Sequence, residues 1–430
     1  MTRLLRKLLF WNAALMVLFV CITTCTNITP EKKTAPQPTV VQSTPMLALT
    51  PPMGWNSWNP FGENVSEKVI KETADAFVSS GLKDAGFNYI VIDDIWQGGR
   101  DSITGLLYPD PKRFPSGIKA LADYVHSKGL KFGIYSDAGT MTCGDRPGSF
   151  GNEVKDAKLF AEWGADYLKY DYCYCPDYAS KNNDFGMAIA RYKAMGDALK
   201  ATGRPIVFSI CEWGPRGPWL WGKEVGGNLW RTSYDVGDKW DSPRNEESQI
   251  GILASIDVVL NLDRFAGPGG WNDPDMLVIG LNNTGFIKGG GCNEIEYRTQ
   301  MSMWCMLASP LMMGCDVRNM NEVTKSILLN KDVIAIDQDP LGKQGFRVFR
   351  QDGIEAFKKP LSGNRVAIAI LNRNTKPGKI TLSFKDLELK PGMKYSVYDV
   401  WKHKGISQPA GSLSAEMSSH ECQVYMLTPQ

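Results

Sequence analysis

Residues 131–173 read KFGIYSDAGTMTCGDRPGSFGNEVKDAKLFAEWGADYLKYDYC. The stretch opens on a short run of β-branched and aromatic residues, Lys131 to Asp137, that ends in a polar tip. A loop and a helically spaced segment follow, and a second such run, Tyr167 to Cys173, closes the unit. A strand, a helix and a strand in that order predict two parallel strands joined by a crossover.

The same unit recurs in both directions along the chain. The strand candidates are Met53–Trp58, Tyr89–Asp94, Lys131–Asp137, Tyr167–Cys173, Ile206–Trp213, Leu229–Asp235, Trp271–Met276 and Ser309–Gly314, eight in all. Eight alternating units predict a (β/α)8 TIM barrel over residues 47–339. Between the strands, Val69, Ile70, Ala74, Phe77, Val78 and Leu82 trace one helical face after Ser66, a candidate N-cap, with Gly81 and Gly86 at its end. Ile118, Leu121, Ala122 and Val125 trace a second face, and Met187, Ala190, Ala194 and Leu199 a third. No GxGxxG follows a first strand, which counts against a doubly wound dinucleotide fold.

After Pro340 the texture changes. Short strand-like runs, Phe346–Arg350, Ile354–Phe357, Val366–Leu371, Lys379–Phe384, Tyr395–Asp399 and Gln423–Leu427, are separated by turn signals such as Ser362-Gly363-Asn364 and Pro391-Gly392. Residues 340–430 therefore read as a C-terminal antiparallel β-sandwich. Two domains suit a chain of 430 residues, because single cores stop growing near about 250 to 300.

At the N-terminus, Arg3, Arg6 and Lys7 precede the apolar run Leu8–Val20, the layout of a secretory signal over residues 1–25. Export to the periplasm or cell surface is the expectation. Cys25 follows an imperfect lipobox, which leaves two readings open: a lipid anchor on Cys25, or plain signal cleavage nearby. Residues 26–46, rich in Thr, Pro, Lys and Gln, read as a flexible tether.

Composition narrows the chemistry. A net charge of +2 supplies no field to collect polyanions, so nucleic acid is not an expected partner. Histidine occurs three times, at His126, His403 and His420, and no HExxH or spaced Cys/His pattern appears, so histidine chemistry is not expected, no cofactor is called for, and a catalytic metal would have to be bound by carboxylates alone. The ends of the first seven strands instead carry Trp55; Asp93 and Asp94; Tyr135 and Asp137; Lys169 and Asp171; Glu212 and Trp213; Arg231 and Asp235; and Asp273 and Asp275. Barrel enzymes place their active sites at those ends. Carboxylates there need cationic partners or a ligand, since unpaired buried charge is strongly unfavourable. Carboxylates with flat aromatic faces, and no phosphate cradle, suggest glycoside cleavage, which needs two carboxyl groups. Lys169 and Asp171, two apart on one strand, share a side, so the ammonium is expected near the carboxylate, favouring its ionised form.

The strings MGWNSW (53–58), VIDDIW (91–96), KFGIYSDAG (131–139), TCGDRPGS (142–149), YLKYDYC (167–173), SICEWG (209–214), GPGGWNDPDMLVIG (267–280) and DVIAIDQDPLGKQG (332–345) resemble glycoside hydrolase family 27, the α-galactosidases or melibiases. The resemblance runs from about residue 47 to the C-terminus. It implies a (β/α)8 barrel with a C-terminal antiparallel β domain, no metal, and hydrolysis of terminal α-galactosides with net retention. It further implies that Asp171 is the nucleophile and Asp235 the general acid/base. By the same resemblance, Asp93 and Asp94 bind the galactose 4- and 6-hydroxyls and Trp55 stacks on the sugar. Tyr135, Cys143, Lys169, Arg231, Asp275 and Met276 line the pocket, and Cys211, Glu212 and Trp213 surround the 2-hydroxyl. Cys143 and Cys173 match a family disulfide, whereas Ile95 stands where animal members carry a half-cystine. Alternatives on the same fold are α-N-acetylgalactosaminidase and β-L-arabinopyranosidase; one of another class is a non-catalytic carbohydrate-binding lipoprotein.

Overall fold

A computed structural model describes residues 46–175, 185–242, 249–287, 289–407 and 411–430. The leader and nearly all of the tether lie outside them. Among the described residues no helix is long and apolar enough to cross a membrane.

Eight parallel strands form one sheet: β1 (Met53–Asn56), β2 (Tyr89–Val91), β3 (Lys131–Asp137), β4 (Tyr167–Asp171), β5 (Val207–Ile210), β6 (Leu229–Arg231), β7 (Trp271–Asp273) and β8 (Leu311–Met313). Each strand from β1 to β7 lies beside the next in sequence, and β8 returns to β1. Closure between β7 and β8 is made just past β7, where Leu277 N donates to Met312 O (2.8 Å) and Leu277 O accepts from Gly314 N (2.9 Å). The eight expected strands are all present; β3 spans its whole run, and the others are shorter because the polar tips leave the ladder.

Period-two alternation separates the two faces of the sheet. Tyr89, Val91, Tyr167, Val207, Leu229, Trp271 and Met312 fill the barrel interior. Ile90, Ile92, Phe132, Ile134, Leu168, Phe208 and Ile210 pack outward with the helices. The principal helices are α1 (Glu67–Ser79), α2 (Gly117–Ser127), α3 (Glu153–Trp163), α4 (Phe185–Ala201), α5 (Ile252–Val259), α6 (Glu294–Met306), α7 (Glu322–Leu328) and α8 (Lys331–Asp337). Ser66 does cap α1, its Oγ accepting from Val69 N. The α1 face is Ile70, Ala74 and Phe77, with Val78 exposed. The α2 face is as expected.

Two expectations fail here. In α4, Ala190 and Ala194 point to solvent, while Arg191, Tyr192 and Met195 are buried. Long amphipathic side chains reach where small alanines do not: Tyr192 Oη donates to Tyr170 O (3.0 Å), and Arg191 to Ala138 O (3.0 Å). Between β5 and β6 there is only a 3-10 turn, Pro218–Leu220, in place of an α-helix. Its run of Gly, Pro and Trp cannot sustain a longer helix.

The chain leaves the barrel between α8 and β9 (Phe346–Gln351). Then follow β10 (Ile354–Pro360), β11 (Val366–Asn372), β12 (Gly378–Ser383), β13 (Tyr395–Asp399), β14 (Lys404–Ile406), β15 (Ser412–Met417) and β16 (Cys422–Pro429). Six of these form a sheet in the order β9-β10-β11-β16-β13-β14, and β12 pairs with β15; all these pairs are antiparallel. Ile368, Ile370, Leu382, Leu413, Met417 and Leu427 form the core between them. The other face of the larger sheet, Phe357, Ala367, Ala369, Leu371 and Val424, joins the barrel's core. β14 and β15 were not read from the sequence. Leu413, Ala415 and Met417 do alternate, but Leu, Ala, Glu and Met are also the best helix formers, which hid the period.

Candidate active site

The register of neighbouring strands stacks polar groups into layers inside the barrel. Tyr135, Lys169 and Ser209 stand at one level, and Asp137 pairs with Asp171 one step nearer the mouth. Below them the apolar floor of Tyr89, Tyr167, Leu229 and Trp271 excludes water. The result is a cavity lined by Trp58, Asn59, Asp93, Asp94, Tyr135, Cys143, Lys169, Asp171, Trp213, Arg231, Asp235 and Met276. A smaller recess shares Lys169, Arg231 and Met276 with it and adds Cys211, Asp273 and Asp275.

Two cations balance the carboxylates. Lys169 Nζ lies 2.8 Å from Asp93 Oδ2, which also accepts from Asn56 Nδ2 (2.6 Å). Arg231 spans Asp235 Oδ1 (2.8 Å) and Asp275 Oδ1 (3.0 Å), with Cys211 Sγ 3.6 Å away. Backbone amides supply further donors: Asp94 accepts from Ile95 N (2.6 Å) and Gly144 N (2.7 Å), and Asp275 from Val236 N (2.7 Å). Ile95 (φ +73°), Trp213 (φ +59°) and Asp275 (φ +80°) all lie just past strand ends in left-handed backbone. Non-glycine residues there carry strain that surrounding bonds must hold.

The two carboxyls expected to do chemistry occupy contrasting places. Asp171 is 5% exposed. Its Oδ2 accepts from Tyr135 Oη (2.8 Å), and its Oδ1 has no hydrogen-bond partner among the described residues. Burial pushes its pKa up to about 6, against the Lys169 ammonium, which favours the ionised form. The Asp235 side chain, by contrast, is 42% exposed at the mouth. Burial also raises Asp94 and Asp273 to about 6.

The expected bridge is present: Cys143 and Cys173 are joined, with Cα atoms 5.2 Å apart. Buried Asp137 holds the loop beyond each strand, accepting from Gly139 N (2.6 Å) and Cys173 N (2.9 Å). Cys143 and Cys173 also fall beside Asp137 and Asp171 in a metal-like grouping. Their sulfurs are spent on the bridge, so the donor set does not suit an ion.

Two expectations need correction. Trp55 does not face the cavity; it is fully buried on the outer side of β1, its Nε1 donating to Cys315 O (2.8 Å). On β1 the inward parity belongs to Asn56, and continuing it by two gives Trp58, which does line the cavity. Alternation through MGWNSW separates Trp55 from Trp58, but which of the two parities faces inward is set by the neighbouring strands. Glu212 likewise points outward: it is fully buried against Arg216, whose N lies 3.1 Å from Oε2, and burial pushes its carboxyl up to about 8. Its neighbours Cys211 and Trp213, of inward parity, face the cavities. The expected influence of Lys169 on Asp171, favouring the ionised carboxylate, is present, while the ammonium's ion pair is made with Asp93 across strands.

Comparison with known proteins identifies the family and agrees with the fold. The family model described as Alpha galactosidase A matches residues 50–339, and that of the Alpha galactosidase C-terminal beta sandwich domain matches residues 351–427. Alpha-galactosidase 3 of Arabidopsis thaliana is 49% identical over 389 residues, covering 89% of this chain and 83% of its own. The alpha-galactosidase of Cyamopsis tetragonoloba is 46% identical, covering 89% and 87%. Among solved structures, alpha-galactosidase I of Mortierella vinacea superposes with a TM-score of 0.82 at 38% identity, covering 89% and 97%. This chain belongs to the α-galactosidase family of glycosidases, glycoside hydrolase family 27.

Proposed function

We propose that this chain is a retaining exo-α-galactosidase, with Asp171 as nucleophile and Asp235 as acid/base. The observation that carries the reading is the contrast between these two groups on one cavity: a buried carboxyl at depth and a half-exposed one at the mouth. A cavity floored by Asp93, Asp94 and the apolar interior admits only a terminal sugar. Its anomeric carbon then meets Asp171, while the glycosidic oxygen lies on the side of Asp235. Asp171 attacks C1 as the C1–O bond breaks, and the Asp235 proton passes to the leaving oxygen. Water, deprotonated by Asp235, then displaces Asp171 from the galactosyl ester. Two inversions give retention. Tyr135, donating to Asp171 Oδ2, aims the carboxylate and holds charge on it.

Proton NMR of the first product tests the mechanism. α-Galactose must appear before the β anomer; β first would mean inversion. For specificity, kcat/KM is compared across p-nitrophenyl α-galactoside, α-glucoside, α-N-acetylgalactosaminide and β-L-arabinopyranoside. Asp93 and Asp94 as acceptors for the 4- and 6-hydroxyls should disfavour α-glucoside by about 10⁴, because the epimer leaves a buried carboxylate unpaired. A better rate on any of the other three overturns the galactoside reading. The basic and apolar leader supports export. Palmitate labelling that disappears in Cys25→Ala would establish a lipid anchor, and its absence in the intact chain would leave plain cleavage.

A further inference from the structure

Outside the galactose pocket, the loop between β7 and α6 carries Phe286, an aromatic ring 46% exposed beside the cavity mouth. Its ring centroid is 5.2 Å from that of Trp58, edge to face at 69°, and Trp58 lines the cavity. The ring also rests on the backbone at Gly62, where a Cβ would fall 2.4 Å from Phe286 Cγ. Only glycine lets the ring settle there.

The loop is tied down on both sides of the ring. Ile287 N donates to the carbonyl of Asn59 (3.0 Å), whose residue lines the cavity. Asp238, fully buried, accepts from Asn283 N (2.7 Å), Cys292 N (2.9 Å) and Tyr297 Oη (2.8 Å). Asp238 stands three residues beyond Asp235, so one carboxylate links the loop to the segment bearing the acid. An exposed aromatic is ordinary by itself. One seated on glycine, braced by a pocket tryptophan and fastened to the acid's segment is a preorganised surface, because its ordering is complete before a ligand arrives.

We infer that Phe286 is the wall of an aglycone subsite, taking the apolar face of the sugar ring or the aromatic group attached to the departing oxygen. The inference rests on the galactosidase reading, in which the leaving group emerges at Asp235. Stacking on a fixed ring selects flat apolar faces without reading hydroxyls. Phe286 thus sets which α-galactosides are good substrates and leaves the bond-breaking step alone.

The test compares raffinose with α-galactosyl fluoride, whose leaving group has no ring. Phe286→Ala and Phe286→Leu should each lower kcat/KM for raffinose by about five- to tenfold, mostly through KM. The fluoride should stay within about twofold of wild type, as should inhibition by galactose. Phe286→Tyr, which keeps the flat face, should retain wild-type behaviour. Unchanged raffinose kinetics in both Ala and Leu variants overturn the proposal. Equal losses on both substrates, with weaker galactose inhibition, also overturn it, since Phe286 would then act through Trp58 on the galactose pocket. A wild-type enzyme inert toward α-galactosyl fluoride would instead refute the galactosidase reading.

Discussion

Replacing Lys169 by methionine should shift the acidic limb of kcat/KM to higher pH. Lys169 Nζ lies 2.8 Å from Asp93 Oδ2. After burial it is the largest influence on Asp171, and it acts in the opposite direction. With the ammonium present the Asp171 carboxyl already stands at about 6. A nucleophile must be ionised, so rate is lost as pH falls through that value. A nearby opposite charge lowers a carboxyl by about 1 to 3 units, and because Lys169 pairs with Asp93 and not with Asp171 the lower part of that range applies. The limb should therefore rise by about 1 to 2 units, roughly 1.4 to 2.7 kcal/mol. Near pH 5.5 this costs roughly ten- to seventyfold beyond any loss in the pH-independent plateau. The assay is kcat/KM on p-nitrophenyl α-galactoside from about pH 4 to 9, where the limb's position is read apart from the plateau. A limb that stays put, or moves to lower pH, refutes the argument.

Four further outcomes follow from the same geometry. Asp235→Asn should lose at least about a hundredfold more kcat/KM on raffinose than on an aryl galactoside whose leaving group needs no proton; equal losses would remove Asp235 as the acid. Asp273→Asn should raise Tm by several degrees near pH 7.5 and not near pH 4. Burial holds Asp273 at about 6, above its unfolded value, so its charge opposes folding by up to about 3 kcal/mol above pH 6, a cost that disappears as pH falls. An unchanged or lower Tm at pH 7.5 would contradict this. Glu212→Gln should leave kcat/KM within about twofold, because its carboxyl faces Arg216; a tenfold loss would put it on the sugar. Cys173→Ser opens a loop of sequence separation 30 and should cost about 3 to 4 kcal/mol by chain entropy; reduction of the wild type should lower Tm by a similar amount, and an unchanged Tm in the variant would contradict this.

Asp171, inside the string at 167–173, and Asp235, four residues after Arg231, were placed at the barrel mouth by the sequence because each ends or follows a barrel strand, and the structure brings both to one cavity. The aromatic neighbours were harder to place. In MGWNSW two tryptophans compete, and the choice depends on which parity of β1 faces inward. The stretch itself does not declare that parity, since Met53, Trp55 and Trp58 are all apolar. It is settled by Gly54 passing against Tyr89 and by Asn56 reaching Asp93. Trp55 was therefore misread as the wall and Trp58 was missed. Glu212 went the same way: a carboxylate beside two cavity residues looked functional, but consecutive residues on a strand point to opposite faces.

By itself, then, the sequence determined the eight strands, the β-rich tail, the polar rim and the two aspartates proposed as catalytic. Hydrophobic period and strand-end chemistry are local properties, written within about ten residues. Tertiary structure decided the partners. Lys169 pairs with Asp93 on another strand, and Arg231 bridges carboxylates that follow two different strands. Asp171 is buried and Asp235 is open because the floor lies below one and the mouth beside the other. Phe286 reaches Trp58 across more than two hundred residues of chain. Coulomb interaction and desolvation depend on distances through space, which closing the barrel sets and which no spacing along the chain encodes.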